Sequence, residues 1–562
     1  MTSNSNGNGR ETPSIKATQS SETTPLLQHA DSNNNVPADR SQTANENEEQ
    51  TVFVEEVTGV KLWLILGSGY VGVFLGAVDA SIIATLSAPI SSEFRSLSLL
   101  SWLATAYLIA NAACQPISGR LTDIFGRGPG LIFSNVFFAA GNLICGLAQN
   151  EHVMIFGRVV AGIGGGGLMS ISTFLATDLV PLRKRGIIQG IGNIAYGSGA
   201  MCGGVLGGLL NDYTSGGWRL AFLIQVPPVL VSACLVAYLV RIPPKVSNKS
   251  YLARIDFIGA FLIIVFLVLL LLGLNAGGNL VPWVHPLPLT TIPLAFVAAV
   301  GFVIWEARAA QPIIPVRLLL RRTVFNACMT NLVTTMANMM ALFYSPLYLQ
   351  VRGQSATQAG LVLLFAPIGI SICSIGSGYL MRKTGRYIAL GALAVGLQLA
   401  HVIILTTLDE TTPKWHIMIS FFLLGSGYGA MLTITLLACL AAVDHSEQAP
   451  ITSATYAFRS VGGTVGITIA SAVYQNILKT QLWDRFGSLP DAGVEIPKIR
   501  DDLDELNHLP VGWHRPDVIA IFMEAFRGVW FTALAMVLIG LISISLMKQH
   551  TLHATLARNE RS

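Results

Sequence analysis

Apolar segments of about 20 residues, the length that an α-helix needs to cross the ~30 Å hydrocarbon core of a bilayer, recur along the chain from Lys61 onward. Because the backbone inside lipid must satisfy its own hydrogen bonds, such a chain is restricted to a bundle of membrane helices. We count fourteen segments, with a margin of two, and expect an all-α membrane protein with fourteen transmembrane helices. The segments lie near 62–90, 99–119, 130–149, 153–177, 187–210, 219–240, 256–274, 290–306, 324–350, 357–380, 388–407, 416–440, 451–477 and 523–547.

Composition supports lipid as the solvent. Only 12% of the residues are charged and 52% are hydrophobic, against roughly 25% charged in a soluble domain. The seven cysteines are irregularly spaced within apolar segments, which predicts neither a disulfide framework nor a metal site. The net charge of +4 is small and dispersed in short clusters, so we expect no nucleic-acid partner. No cofactor motif is present, and the expected partners are a small solute and the bilayer.

Lysine and arginine are concentrated in every second loop. Since basic loops face the cytoplasm, we expect both termini to be cytoplasmic and residues 478–520 to form a lumenal loop. The basic loops contain Arg120, Arg127, Arg183, Lys184, Arg185, Arg241, Lys245, Lys249, Arg254, Arg308, Arg317, Arg321, Arg322, Arg382, Lys383 and Arg386, and the opposite short loops contain Arg95, Arg219, Arg352 and Lys414.

The sequence predicts a tail outside the membrane at each end of the chain. Residues 1–58 have few large apolar side chains, too few to offset the entropy of ordering, so we expect a disordered cytoplasmic tail. We expect residues 548–562 to form a second cytoplasmic tail. Glu22, Leu26 and Leu27 have the acidic-dileucine spacing that sorting adaptors bind. A motif this short also arises by chance.

One turn occurs twice. It follows the second segment as Gly119-Arg-Leu-Thr-Asp-Ile-Phe-Gly-Arg127 and the tenth as Gly378-Tyr-Leu-Met-Arg-Lys-Thr-Gly-Arg386. Parallel repeats of membrane helices are a recurrent transporter architecture, with the solute site near the midplane between the halves. The repeat predicts a transporter with two related halves; two unrelated basic turns are the alternative.

The first copy of the turn resembles the loop signature of the major facilitator superfamily. In that family the turn and a carboxylate of the fourth helix form a charge-relay latch that holds the outward-facing state. A structural turn is the simpler interpretation. The resemblance implies the latch role for Gly119, Asp123, Gly126, Arg127, Asp178, Arg382, Gly385 and Arg386.

The fifth segment resembles the antiporter motif of the same superfamily, with Gly204 where proline is usual. Fourteen helices, and Arg158 four residues before Gly162, resemble its drug:proton antiporter branch. This implies two six-helix bundles, at 59–240 and 311–547, joined by two additional helices within 241–310. The motif glycines are Gly190, Gly199, Gly203, Gly207 and Gly208.

A narrower resemblance, to fungal vacuolar basic amino acid transporters, rests on several short segments. It implies a monomeric, proton-coupled antiporter that imports Lys, Arg or His into the vacuole by alternating access. The alternative in transport is a plasma-membrane multidrug or toxin:proton exporter of the same fold. A receptor that kept the fold is a third class, whereas no catalytic constellation indicates an enzyme. The segments are Ile90–Phe94, Ser101–Tyr107, Gln115–Pro116, Asp123–Arg127, Asp178–Gly186 and Phe458–Arg459 with Gly462, Gly466 and Gln475.

Two charges inside predicted spans are functional candidates, since such groups cost about 2.5–3.5 kcal/mol at the bilayer centre. Asp79 lies roughly 27 Å along its helix from Lys61 and Arg158 about 8 Å into the fourth, both toward the lumenal side. We therefore expect them to face each other or share a polar network. Asp79 is a candidate to bind a cation or carry a proton, and the resemblance assigns Arg158 to proton coupling. A static pair that joins two helices is the alternative.

Other polar side chains at membrane depth are weaker candidates. Asn111, Gln115 and Tyr344 are assigned to the pathway, although polar groups in spans more often join helices. Arg459 and Glu524 are expected near helix termini, where their side chains snorkel to the interface.

Overall fold

The structure is a computed structural model that describes residues 59–94, 98–241, 255–277, 281–309, 312–314, 316–354, 356–409, 412–444, 447–489, 492–501, 509 and 513–552. Within these residues the secondary structure is helical, with 18 α-helices and no β-strand. The predicted all-α class is confirmed.

The N-terminal half consists of α1 to α7. One of its helices begins at a side-chain cap: Asn150 precedes α4, and its side chain accepts a hydrogen bond from the Val153 amide at 2.9 Å, which satisfies an amide left free at a helix start. α4 packs extensively against α2 and α3. The helices are α1 (Val60–Phe94), α2 (Ser98–Phe125), α3 (Arg127–Gly146), α4 (Glu151–Leu179), α5 (Leu182–Tyr213), α6 (Gly217–Leu223) and α7 (Val226–Leu239).

Two helices follow, α8 (Phe257–Ala276) and α9 (Pro286–Glu306). Asp256 caps α8 by accepting a hydrogen bond from the Gly259 amide at 2.8 Å. α8 packs against α9, α2 and α16, while much of α9 stays exposed, as expected of helices at the periphery of a bundle in lipid.

The C-terminal half consists of α10 to α18. Its large hydrophobic cluster joins α11, α14, α15, α16 and α18. The helices are α10 (Val316–Leu319), α11 (Arg322–Val351), α12 (Ala356–Leu363), α13 (Phe365–Thr384), α14 (Ile388–Thr406), α15 (Lys414–Ala441), α16 (Gln448–Phe486), α17 (Ala492–Asp501) and α18 (Arg515–Ser545).

Twelve helices in the described residues are long and apolar enough to cross a membrane, so the count of fourteen is not confirmed. The two remaining long helices, α2 and α5, are less apolar than these twelve. The physical reason is their place in the fold. α2 contacts α16 and α5 contacts α13, so both helices face the opposite half as well as their own, and they carry polar and glycine residues there.

The halves meet at the end of the molecule that carries both copies of the repeated turn, which we call the basic end. A Cβ placed on Gly186 of α5 would lie only 2.8 Å from Gly378 Cα of α13, so these two backbones cross with no room for a side chain. Arg185 Nη1 donates to Gln448 Oε1 of α16 at 2.8 Å. These contacts close the structure at the basic end. Further along α5, a Cβ on Gly208 would have no described atom within 4 Å.

Candidate transport pathway

Asp79 and Arg158 form an ion pair. Arg158 Nη1 lies 2.9 Å from Asp79 Oδ1 and 2.8 Å from Oδ2, and both side chains are buried. Their expected contact is present, since α1 and α4 bring the two residues to the same depth. The transport roles of the pair stay predictions.

The pair lies inside the N-terminal half. Arg158 Nε donates to the Leu103 carbonyl oxygen of α2 at 3.0 Å, and the guanidinium stacks on the Tyr107 ring at 4.4 Å. Every charge-bearing group thus has a partner, which a buried ion pair needs to offset desolvation. In this conformation a solute has no access to the Asp79 carboxylate, because none of that side chain is exposed.

A second buried charge cluster occupies the first copy of the repeated turn. Arg127 contacts Asp123 at 2.6 Å and Asp178 of α4 at 2.7 Å, and its Nη1 donates to Thr122 Oγ1 at 2.6 Å. Gly126 lies at φ +98°, a conformation that favours glycine, and this turns the chain from α2 into α3. The cluster ties the basic ends of α2, α3 and α4 together.

The second copy of the turn is built differently. Gly385 ends α13 in the left-handed conformation at φ +69°. Arg382 and Arg386 are exposed at the basic end, and the sequence places Arg382 where the first copy has Asp123. Their role in a latch stays a prediction.

The motif glycines place α5 between the two halves. A Cβ on Gly190 would lie 2.9 Å from the Ile375 backbone of α13, whereas one on Gly199 or Gly203 would overlap α1. Gly207 is buried and Gly208 faces open space. α5 is one uninterrupted helix of 32 residues despite glycine at position 204.

The polar pathway candidates divide between two locations. Gln115 Nε2 donates to Asn111 Oδ1 at 2.7 Å within α2, and Ser460 of α16 donates to Gln115 Oε1 at 3.1 Å. This network therefore crosses from one half to the other. Tyr344, by contrast, packs inside the C-terminal half, with its ring centroid 5.3 Å from that of Tyr474.

Sequence reasoning missed several contacts between the halves. Thr173 of α4 and Tyr456 of α16 share a hydrogen bond of 2.7 Å, and Asn193 of α5 donates to Ser374 of α13 at 2.7 Å. Individual hydroxyl and amide groups in spans give no sequence signal for such pairing, because any of them can bond within its own helix.

The expectation for Arg459 is wrong. It is the twelfth residue of α16, about 17 Å from the start of the helix, and is half-buried with its guanidinium 4.1 Å from the Tyr456 ring centroid. α16 is 39 residues long and begins three residues before the predicted apolar segment, so Arg459 is further from the helix start than the segment indicated. Glu524 is exposed on α18, ten residues into the helix.

His401 was also missed. It is buried in α14, with Nδ1 2.7 Å from Ser420 Oγ of α15. Both helices belong to the C-terminal half, so this contact joins helices within one bundle. In the described part of the chain, no group of three or more His, Cys, Asp or Glu is arranged to hold a metal ion. Glu22, Leu26 and Leu27 lie outside the described residues.

Comparison with known proteins gives the family. The model of the major facilitator superfamily matches residues 69–467. This range takes in most of the N-terminal half, the additional helices and much of the C-terminal half. The chain belongs to the major facilitator superfamily. The relatives that match this chain are transporters, and this protein is a multi-pass membrane transporter rather than an enzyme.

Relatives of two kinds match across this chain. It is 35% identical over 512 residues to the multidrug resistance protein fnx1 of Schizosaccharomyces pombe, covering 90% of this chain and 96% of the relative. It is 33% identical over 398 residues to vacuolar basic amino acid transporter 2 of Saccharomyces cerevisiae, covering 67% and 82%. The predicted resemblance to vacuolar basic amino acid transporters is confirmed. Among solved structures, the human organic anion transporter MFSD10 (TETRAN) has the same fold, with a TM-score of 0.57, 12% identity, and coverage of 87% of this chain and 100% of that one.

Proposed function

We propose that this superfamily member is a proton-coupled antiporter that imports basic amino acids, Lys, Arg or His, into the vacuole by alternating access. The observation that carries the coupling is the buried Asp79–Arg158 pair. A relative named as a vacuolar basic amino acid transporter supports the substrate class. We also infer that α2 and α5 cross the bilayer, which gives fourteen spans, because each runs alongside helices that do so.

Proton coupling follows from what protonation would do to this pair. A proton on Asp79 removes one charge and leaves Arg158 buried without a counter-ion, which is strongly destabilising. The pair then favours a different arrangement of α1 and α4. Because the basic end is closed, we assign this conformation to the lumen-facing side of the transport cycle, in which a proton enters from the lumen and the amino acid leaves to it.

Alternating access requires two discrete arrangements of the halves. Arg127 holds the ends of α2 and α4, and both helices contact α16 across the interface: Gly119 packs against Ser453 and Thr173 bonds Tyr456. The proposed latch therefore supports the surface on which the halves close, and its release lets them rock apart about a central site.

In this proposal the protein acts as a monomer in the vacuolar membrane, with both tails in the cytoplasm. The acidic-dileucine motif would then be available to a sorting adaptor. Residence in the plasma membrane is the alternative and accompanies the second candidate function.

That second candidate is a multidrug or toxin:proton exporter of the same fold. It is favoured by the high coverage of the multidrug resistance relative. Tyr456 near the midplane also suits aromatic drugs. Drug tolerance of cells with and without the protein distinguishes this candidate from vacuolar import.

The deciding experiment is uptake of labelled Lys, Arg and His into isolated vacuolar vesicles, with and without a proton uncoupler, for the wild type and Asp79→Asn. We expect uptake by the wild type that the uncoupler abolishes, and at least tenfold less uptake by Asp79→Asn. Uptake that is indifferent to both the uncoupler and the substitution would refute the proposal.

A further inference from the structure

Arg459 occupies the region in which a transporter of this architecture holds its solute. It lies about 17 Å into α16, roughly half the thickness of a ~30 Å hydrocarbon core. The next residue, Ser460, bonds Gln115 of α2, and the preceding turn bonds α4 through Tyr456. Arg459 therefore sits near the midplane, beside the interface of the two halves.

Unlike the buried arginines, which all donate hydrogen bonds, Arg459 is held by no described polar partner. Arg158 contacts Asp79, Arg127 contacts Asp123 and Asp178, and Arg185 is held by carbonyl oxygens and Gln448. Within the described part of the chain, Arg459 forms a stacking contact with Tyr456 but neither a hydrogen bond nor an ion pair. A half-buried guanidinium at this depth presents five N–H donors and a full positive charge without a counter-ion.

The surroundings of Arg459 leave room for a solute. Tyr196 of α5 and Tyr428 of α15 lie close enough to the guanidinium for their phenol groups to interact with its charge. Tyr196 is 44% exposed although it lies in the middle of its helix and faces the opposite half. The space between the halves is therefore accessible here, and it is bordered by hydroxyl groups and aromatic faces.

We propose that Arg459 binds the α-carboxylate of the transported amino acid. A guanidinium and a carboxylate match as a bidentate pair, and such charge-assisted bonds are the strong ones. The bound carboxylate supplies the missing counter-ion, while the ring faces of the tyrosines suit the cationic groups of the same molecule. This assignment rests on the proposed function and deepens it, because it separates recognition of the amino-acid head group at Arg459 from proton handling at Asp79.

Pairs of ligands that differ only in the carboxylate test the assignment. The ligands are arginine and argininamide, measured as competitors of labelled arginine uptake and as stabilisers of the purified full-length protein against heat. For the wild type we expect argininamide to be much the weaker ligand in both assays. For Arg459→Gln we expect the half-saturation concentration of arginine to rise roughly 10- to 100-fold, the value of a charged hydrogen bond, and the preference for the acid over the amide to disappear.

Two control variants test whether a loss of arginine binding is specific to the guanidinium at position 459. Arg459→Lys keeps the charge but loses the planar guanidinium that binds a carboxylate through two hydrogen bonds. It should therefore retain part of the preference for the acid. Arg485→Gln removes an arginine that is 63% exposed on the same helix and should behave as the wild type. If Arg459→Gln does not fold, Arg459→Lys with an unchanged acid preference and unchanged half-saturation overturns the assignment.

The outcomes separate the two proposals. Transport of arginine with an acid preference that survives in Arg459→Gln overturns the carboxylate site and leaves the antiporter intact. Failure of the wild type to bind or transport any basic amino acid overturns the antiporter, and the carboxylate site with it.

Discussion

Asp79 and Arg158 make the sharpest test at the scale of single residues, because a static pair and a proton-coupled pair predict different double variants. Asp79→Asn or Arg158→Gln alone leaves one charge buried without a counter-ion, and we expect each to destabilise the protein by about 3–5 kcal/mol. The double variant removes both charges and should recover most of that stability. Thermal unfolding in detergent measures this recovery.

Transport then decides the role. If the pair couples protons, the double variant folds but shows no uncoupler-sensitive uptake. A double variant that regains both stability and proton-driven uptake would make the pair a structural link. The sequence located this pair because two charges at matching depth in apolar segments are rare. It did not locate Arg459, although the predicted segment already placed that residue about 12 Å from its start, because an arginine assigned to a helix end was expected to snorkel to the interface.

At the scale of elements, the crossing of α5 and α13 determines whether the basic end can close. Gly186 and Gly378 allow backbone contact there, so Gly186→Val should wedge the helices apart. Overpacking of this kind costs about 1–3 kcal/mol, which lowers the ratio of closed to open basic ends roughly 5- to 150-fold. We expect a cysteine placed at Ser374 to become more reactive toward a reagent added from the basic side.

Gly208→Val is the matched control on the same helix, since a Cβ there has no described neighbour within 4 Å; it should leave this reactivity unchanged. Equal reactivity in both variants would show that the crossing does not limit closure. Periodic apolar segments predicted nearly all the helices, because burial in lipid demands them. The hydropathy of α2 and α5 is lower than that of the other long helices because both face the other half of the protein as well as lipid. The same position makes them part of the interface between the halves.

At the scale of the whole molecule, the Arg127 cluster should bias the equilibrium between closed and open basic ends. Its three members lie in one half, so its influence must pass through α2 and α4, which contact α16. We expect Asp178→Asn to weaken the cluster, since it removes the charge of a 2.7 Å ion pair, and thereby to open the basic end and slow uptake several-fold at saturating substrate.

The second copy of the turn supplies an internal comparison. Arg386 is exposed, and exposed charges contribute about 0–1 kcal/mol, so Arg386→Gln should change uptake less than Asp178→Asn does. Lys383→Gln, an exposed charge next to it, is the control for the general effect of lost positive charge. The same cysteine reactivity at position 374, measured beside the maximal uptake rate, checks the mechanism: slower uptake with an unchanged closed population would mean that the cluster stabilises the fold without biasing the exchange between the two states.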